Sequence, residues 1–357
     1  MNKDEKKPFI LHISLEDKIL FCKNLSLLLK SGITLTEAIN ILKENTKSKA
    51  LKYILNTTIK DIERGQYLAN SLEKFNKVLG QFFIDIIRIG ELTGTLSENL
   101  DRLGDELKKI GDLRRKVITT MIYPSFIIGT MIIMTIFLLY FVFPKITPIF
   151  ENLGVDLPLP TKIFLKISNF FLNYGVYIFI SFLILFILFL FSLKNKKVRF
   201  LFHYILLRLP IISTIIKNYT LAQISRILAL LLRSGIKIVE SFKICSNSIS
   251  NEVYKKILEE GSNFIIAGHP SYEFFNKYQD LFYYNFVKMI EIGERTGNLE
   301  SNLIYLTKSL EENVDTFLER FVNLLEPIIL VVIAIVIGFM AISIVLPIYE
   351  LSEKLQP

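Results

Sequence analysis

The sequence predicts an all-α membrane protein with two repeated cytoplasmic helical bundles, of about six helices each, and three transmembrane helices. Three observations predict this fold class. Three long apolar blocks carry no charged residue, short motifs recur at a constant distance, and the segments around the motifs have helical apolar periodicity. Hydrophobic residues occupy 51% of the 357 positions, and the excess is concentrated in the three blocks.

The apolar blocks are long enough to cross a bilayer. None contains Asp, Glu, Lys, Arg or His, and each reaches the roughly 20 residues that a helix needs to span about 30 Å of hydrocarbon. Three such blocks in one chain argue against the alternative of buried core helices. We therefore predict transmembrane helices at 122–143, 174–193 and 327–349.

Basic residues next to the blocks predict the orientation of the chain. They cluster before the first block and after the second, whereas the connector between these blocks has few: the clusters are Lys108, Lys109, Arg114, Arg115 and Lys116, then Lys194, Lys196, Lys197 and Arg199. Lys and Arg are enriched in cytoplasmic loops. The predicted order is therefore a short N-terminal tail (1–14), a cytoplasmic helical domain (15–116), an outside connector (144–173), a second cytoplasmic domain (194–323) and an outside C-terminal tail (350–357).

The net charge of +8 has two possible explanations, nucleic acid or anionic lipid. Since the basic clusters border the apolar blocks, lipid headgroups explain them, and we expect the bilayer as a partner and no nucleic acid. The apolar stretch near the start is too short for a signal peptide, so we expect no cleaved leader.

The chain contains an internal duplication with a constant offset of 203 positions. Lys30-Ser31-Gly32-Ile33 recurs as Arg233-Ser234-Gly235-Ile236, and Gly90-Glu91-Leu92-Thr93-Gly94 recurs as Gly293-Glu294-Arg295-Thr296-Gly297. The same shift carries Pro124 onto Pro327 and Pro144 onto Pro347. Repeats of this kind indicate duplicated structural units. We infer that the unit is a bundle with the transmembrane helix after it, and that the second span with its connector is an insert.

Glycine, threonine and proline predict where the helices begin and end. Gly32 and Gly235 suit the left-handed position after a helix, and Thr34 with Glu37 predicts a capping box that Lys237 weakens in the second copy. Gly94 and Gly297 should break their helices, with Thr95 and Glu98 capping the next one. Proline fits the first turn of a helix, so Pro124 and Pro327 should begin spans that Pro144 and Pro347 close.

No motif for catalysis, a cofactor or a metal is present. GxxxxGK[ST], HExxH and GxSxG are all missing, so we predict that the chain is not an enzyme and holds no cofactor. Cys22 and Cys245 are interpreted as reduced, small apolar residues. His12, His203 and His269 are scattered singly and do not predict a metal site.

Two sets of residues have several interpretations. Glu91 and Glu294 could be structural caps, could form ion pairs within their bundles, or could contact a partner together with the surrounding Gly-Glu-x-Thr-Gly residues. Ala334, Gly338 and Ala341 form a small-residue stripe that would suit an oligomer seam, although such residues also face lipid. The spans contain no ionisable residue, which argues against a transporter or channel.

These motifs, taken together, resemble the type II secretion F / PilC family of membrane platform proteins. The resemblance runs from about Leu15 to the end. It is carried by the two Ser-Gly-Ile turns, the two Gly-Glu-x-Thr-Gly corners and Tyr123-Pro124, then by Leu157-Pro158-Leu159-Pro160-Thr161, Leu209-Pro210-Ile211 and the stretch from Leu325-Glu326-Pro327 to Leu346-Pro347.

The resemblance implies a function in the assembly of a type IV pilus, a secretion pseudopilus or a competence fibre. The family is implied to sit in the cytoplasmic (inner) membrane and to dock a hexameric assembly ATPase through its helical domains. Its other implied partners are pilins or pseudopilins, further inner-membrane assembly proteins and a second copy of the same chain. The alternatives are a membrane-anchored adaptor or sensor unrelated to pili, and a transporter component.

Overall fold

The computed structural model describes residues 11–137, 140–141, 144, 159–210 and 212–354. All regular secondary structure among these residues is helical. The chain divides into two compact units. The first, the bundle unit, consists of residues 1–115 and 200–315 and contains both copies of the repeated bundle. The second, the span unit, consists of residues 116–199 and 316–357 and contains the three apolar blocks.

Sixteen helices follow one another along the described chain. The first copy contains α1 (Leu15–Lys30), α2 (Leu35–Asn45), α3 (Lys49–Glu63), α4 (Leu68–Glu73), α5 (Asn76–Leu79), α6 (Gln81–Thr93) and α7 (Leu96–Thr120). The insert and its flanks contribute α8 (Ile122–Phe137), α9 (Leu159–Ser192) and α10 (Lys196–Leu206). The second copy contains α11 (Ile212–Arg233), α12 (Ile238–Ser248), α13 (Glu252–Ile266), α14 (Ser271–Phe275), a 3₁₀ turn (Asn276–Tyr278), α15 (Tyr284–Thr296) and α16 (Leu299–Lys354).

The duplication is visible in the helix boundaries. Helices α2, α3 and α6 begin and end 203 positions before α12, α13 and α15. The first helix of each copy ends in the same turn, because Gly32 and Gly235 adopt φ of 79° and 86°. Ile33 N donates to Leu28 O at 3.1 Å, and Ile236 N donates to Leu231 O at 3.1 Å. This pattern is the Schellman motif, which satisfies carbonyl groups at a helix end.

The predicted caps form only in part. Glu37 N donates to the Thr34 hydroxyl at 3.4 Å, but no return bond from the Glu37 carboxylate to Thr34 is found among the described residues. Lys237 provides no side-chain cap for α12, as the sequence predicts. The Thr95 hydroxyl lies 2.7 Å from the Thr93 hydroxyl, so it contacts the preceding corner and does not complete a box with Glu98.

Both copies bury a continuous apolar core, but with different side chains. In the second copy four aromatic rings stack on or meet one another: Phe242, Phe275, Phe282 and Phe286. The equivalent buried positions in the first copy are mostly aliphatic: Ile39, Leu72, Leu79 and Phe83. Position and burial are retained while volume changes, so each core repacks around its own side chains.

Within the described part of the chain, three helical stretches are long and apolar enough to cross a membrane, namely Leu96–Phe137, Asn173–Ser192 and Ile212–Arg233. The first two overlap predicted spans, and the most apolar part of each is almost entirely exposed. The third, α11, is 67% buried and carries Arg226 and Arg233, so we assign it to the core of the second bundle. The predicted span 327–349 lies within α16. Of its 23 side chains, 11 lie outside the described part, as do residues 138–139 and 142–143 of the first span.

The helix that contains the second predicted span begins well before that span. Helix α9 already begins at Leu159, so the end of the predicted outside connector (144–173) is helical and continuous with the second span. Its 34 residues correspond to about 51 Å, more than one hydrocarbon thickness.

Proline marks a helix boundary in only one copy. Pro124 lies in the first turn of α8, as predicted, and Met121 N donates to Ile118 O in a tightened turn before it. Pro327 and Pro347 instead lie inside the 56-residue helix α16. A proline removes one backbone hydrogen bond and need not end a helix. Pro144 is helical, but its neighbours lie outside the described part.

Candidate functional site: the duplicated corners and the junction between the bundles

The Gly-Glu-x-Thr-Gly corners join α6 to α7 and α15 to α16, and their glycines have two different functions. Gly94 and Gly297 adopt φ of 72° and 73°, the left-handed region in which a side chain costs about 1–2 kcal/mol. Gly90 and Gly293 are helical, but a Cβ atom there would lie 2.8 Å from the Cα atom of Leu96 or Leu299. The first pair therefore turns the chain, and the second allows the two helices to pack closely.

Each corner glutamate accepts hydrogen bonds from the start of a short helix earlier in its own bundle. The Glu91 carboxylate accepts from Leu68 N at 2.5 Å and from Ala69 N at 2.8 Å. Glu294 accepts from Ser271 N at 3.1 Å and from Tyr272 N at 3.5 Å. Of the three interpretations of these glutamates, the structure therefore shows the cap. A contact of either residue with a partner stays a prediction.

The threonines of the corners bond locally and leave an exposed edge. The Thr93 hydroxyl donates to Ile89 O at 2.7 Å, and the Thr296 hydroxyl donates to Ile292 O at the same distance. Leu92, between Glu91 and Thr93, is 67% exposed. Thr93 and Gly94 beside it are exposed as well.

A buried arginine that sequence reasoning missed connects the two bundles. Arg226, on α11, is 4% exposed and donates to Glu106 on α7 at 2.5 Å. It also forms an ion pair with Glu311 on α16. Its counterpart in the first copy, Lys23, pairs with Asp101 at 2.6 Å and Asp105 at 2.7 Å, all within one bundle. Both copies have a basic residue at this position, which could have marked it in the sequence. The spacing of residues does not predict which carboxylates it contacts.

The packing between the bundles is not reciprocal. Leu230 of α11 is 5% exposed at the junction, whereas the equivalent Leu27 of α1 is 64% exposed. The Ser234 hydroxyl donates to the Asn99 side chain at 3.3 Å. Ser234 of the second copy therefore contacts Asn99 of the first copy at the junction. The two copies therefore use different faces, and the second copy's α11 lies against the first copy's α7.

A charged cavity of about 500 Å³ opens at this junction. Its lining comes from α7, α11 and α16 and contains both signs of charge: Arg102, Asp105, Glu106, Lys109, Arg226, Arg233, Lys308 and Glu311. Hydrogen bonds from Lys23 and Lys30, on the neighbouring α1, lower the pKa of Asp101. This junction is an ionic connection between helices, with the carboxylates already paired to cations.

The other sequence-predicted residues lie apart from the corners. Cys22 and Cys245 are buried free thiols, and burial raises the pKa of both. Ala334 and Ala341 are exposed, and no atom lies within 4 Å of a Cβ placed on Gly338. The oligomer seam there stays a prediction. Among the described residues, no group of three or more His, Cys, Asp and Glu side chains could hold a metal.

The fold and the duplicated corners define a helical membrane protein built from two copies of one bundle-and-span unit. The family model of type II secretion system protein F matches the chain twice, at residues 21–144 and 224–347. The two matches begin and end 203 positions apart, the offset of the motifs. The chain belongs to the type II secretion system protein F family, which confirms the resemblance and the fold class. Membership and the apolar spans make it an inner-membrane protein.

Curated relatives cover nearly the whole chain. The type IV pilus assembly protein PilC of Thermus thermophilus is 28% identical over 341 residues, 96% of this chain and 84% of that protein. The type II secretion system protein F of Aeromonas hydrophila is 27% identical over 354 residues, 98% of this chain and 91% of the relative. The HofC homolog of Escherichia coli, a protein transport protein, is 27% identical over 337 residues, 93% and 82% of the two chains.

Proposed function

We propose that this chain is an inner-membrane platform protein that couples a cytoplasmic assembly ATPase to the polymerisation of pilins or pseudopilins. The observation that carries the proposal is α16, which begins at the second Gly-Glu-x-Thr-Gly corner and continues without a break through Pro327 into the apolar stretch. A continuous helix transmits displacement along its axis. Because relatives of this family belong to pilus and secretion machinery, we propose that pilin or pseudopilin subunits are what this displacement moves.

The buried Arg226 supports a coupled movement of the two bundles. Its guanidinium pairs with a carboxylate from each copy, Glu106 and Glu311. Separating the copies would break the pair between Arg226 and Glu106, while Glu311 would stay with Arg226 in the second copy. A force on one bundle would therefore act on both.

The proposal requires both bundles to face the cytoplasm. We expect cysteine at Asn70, which is exposed, to escape an impermeant thiol reagent in intact cells, and cysteine at Asn152 to be labelled. Cys22 and Cys245 are replaced by serine first, so that each protein has one thiol. Labelling of the cysteine at Asn70, with or without labelling of the cysteine at Asn152, would contradict a cytoplasmic position of the bundles.

Binding of the ATPase tests the coupling. We expect the full-length protein in detergent to co-purify with the assembly ATPase of its own host. Leu92→Glu, at the exposed edge of the first corner, should weaken this binding while the melting temperature stays unchanged. Leu20→Glu on α1, another exposed leucine, is the matched control and should bind normally. Normal binding by Leu92→Glu would move the docking surface elsewhere, and absence of binding by the wild type would contradict the proposed coupling.

A further inference from the structure

Helix α10 has one face against the second bundle. Leu207, directly after the helix, is buried, and His203 Nδ1 accepts a hydrogen bond from Glu252 N at 3.0 Å, at the first residue of α13. The ammonium of Lys256, one turn further along α13, lies 5.9 Å from the centre of the Phe200 ring. Phe200, His203 and Leu207 follow the i, i+3, i+7 spacing of a single helix face. These contacts fix the rotation of α10 about its axis.

The opposite face of α10 is apolar and exposed. Leu201, Tyr204 and Ile205 have exposed fractions of 57%, 39% and 49%, and their i, i+3, i+4 spacing places them on one side. The apolar exposure continues beyond the helix at Leu209 and Ile212. In a helix packed on a soluble bundle the outward face is normally polar. Here the outward face needs an apolar environment that the described chain does not supply.

The position of α10 places this face at a bilayer surface. Helix α9 ends at Ser192 and α10 begins at Lys196, so the connecting residues reach at most about 14 Å even if fully extended. Asn173–Ser192 is charge-free, long enough to span a membrane and 0% buried. The start of α10 must therefore lie in or next to the headgroup layer at the end of the second span.

The charge of this segment favours anionic lipid over a protein surface as the occupant. No acidic residue occurs between Asp156 and Glu240. Exposed lysines at 194, 196 and 197 precede the apolar face, and basic residues next to a span are attracted to anionic headgroups. The Arg208 guanidinium lies 4.6 Å from the centre of the Tyr204 ring, which places a cation beside an aromatic side chain of the kind enriched at membrane interfaces.

We propose that α10 (Lys196–Leu206) binds the bilayer surface as an interfacial amphipathic helix. Leu201, Tyr204 and Ile205 insert at the boundary between headgroups and acyl chains, while the lysines contact anionic headgroups. Because His203 and Leu207 hold the other face on the second bundle, this binding fixes the height of that bundle above the membrane. The platform would then have a lipid-bound support at its second copy, in addition to its spans.

A single tryptophan tests the proposal in the full-length protein. The chain contains no Trp, so Tyr204→Trp introduces a unique fluorophore, and Tyr67→Trp, an exposed position in the first bundle, is the matched control. Both proteins are placed in nanodiscs of phosphatidylcholine and phosphatidylglycerol, with and without brominated acyl chains. We expect blue-shifted emission and loss of intensity with brominated lipid for Tyr204→Trp, and neither for Tyr67→Trp.

Two outcomes would overturn the proposal. Red-shifted, unquenched emission from Tyr204→Trp would mean that water covers the face, and blue-shifted but unquenched emission would mean that protein covers it. A second comparison addresses the lipid charge: removal of phosphatidylglycerol should reduce the quenching of Tyr204→Trp. Equal quenching in purely zwitterionic nanodiscs would contradict the role of the lysines. Leu201→Ser with Ile205→Ser, added to Tyr204→Trp, should reduce quenching without lowering the melting temperature of the protein.

Discussion

Glu91 and Glu294 act as caps for helices that lack one of their own. Tyr67 and Pro270 precede α4 and α14, and neither provides a side-chain cap. Short helices leave their first N–H groups unsatisfied, and a carboxylate at that end also complements the helix dipole. The glutamate at each corner therefore fastens an earlier segment of the bundle to the turn that leads into the long helix.

The two glutamates should differ in their contribution to stability. Glu91→Gln loses a charged acceptor at 2.5 and 2.8 Å, and we expect a loss of about 1–2 kcal/mol in unfolding free energy. Glu294→Gln should lose less, because its bonds are 3.1 and 3.5 Å long. Thermal unfolding followed by circular dichroism measures both. Glu63→Gln, at an exposed position, is the control. Unchanged melting of both corner variants, combined with lost ATPase binding, would show that partner contact is their main function.

At the scale of helices, the glycines decide how closely α6 meets α7. A Cβ atom at Gly90 would meet backbone at 2.8 Å, and backbone cannot move aside as a flexible side chain can. Gly90→Ala should therefore destabilise the protein by about 1–3 kcal/mol. Gly129→Ala, in α8 with nothing within 4 Å, is the matched helical control and should leave the melting temperature unchanged. Equal melting temperatures for the two variants would mean that the helices can separate without cost.

Local signals predicted the helix ends well where a local interaction decides them. The glycines after α1 and α11 take the predicted left-handed conformation because their bonds are to carbonyls a few residues earlier. Pro327 was predicted to begin a helix and does not. A proline inside a helix removes one backbone hydrogen bond. The remaining hydrogen bonds of the long helix α16 outweigh that loss.

Long-range partners could not be predicted from the sequence. The corner motif was recognised, but the amides that Glu91 caps lie 22 and 23 residues away, on a helix whose position depends on the packed bundle. Arg226 belongs to α11, an apolar helix whose mean hydropathy is high enough for a membrane span. Only its burial against Glu106 and Glu311 identifies α11 as a core helix and Arg226 as the connection between copies.

At the scale of the whole molecule, Arg226 should determine whether the copies stay together. Arg226→Met retains much of the side-chain volume but leaves Glu311 without its cation and Glu106 with Lys109 alone. We expect a loss of about 3–5 kcal/mol. Lys23→Met, at the equivalent and more exposed position, should lose only about 0–1 kcal/mol. Adding Glu106→Gln and Glu311→Gln to Arg226→Met should recover most of the stability. Similar losses for Arg226→Met and Lys23→Met would show that the junction does not depend on this ionic contact.

Duplication explains why the molecule has two corners but one junction. Each copy retains the residues that build its own bundle, whereas the faces used between copies have diverged, as Leu27 and Leu230 show by their exposure. The first copy presents α6 and α7 to the second, and the second presents α12 and α11 to the first. Under the proposed coupling, a force on either bundle would reach the other through this junction.

Fibre assembly in the host tests the coupling function most directly. The measurement counts pili or pseudopili by electron microscopy in cells that lack this chain, with ATPase and pilin levels checked by immunoblotting. We expect no fibres without the chain, restoration by the wild-type protein, and no restoration by Leu92→Glu even when that variant accumulates normally in the membrane. Normal numbers of fibres in cells that lack the chain, with ATPase and pilins present, would contradict the coupling function.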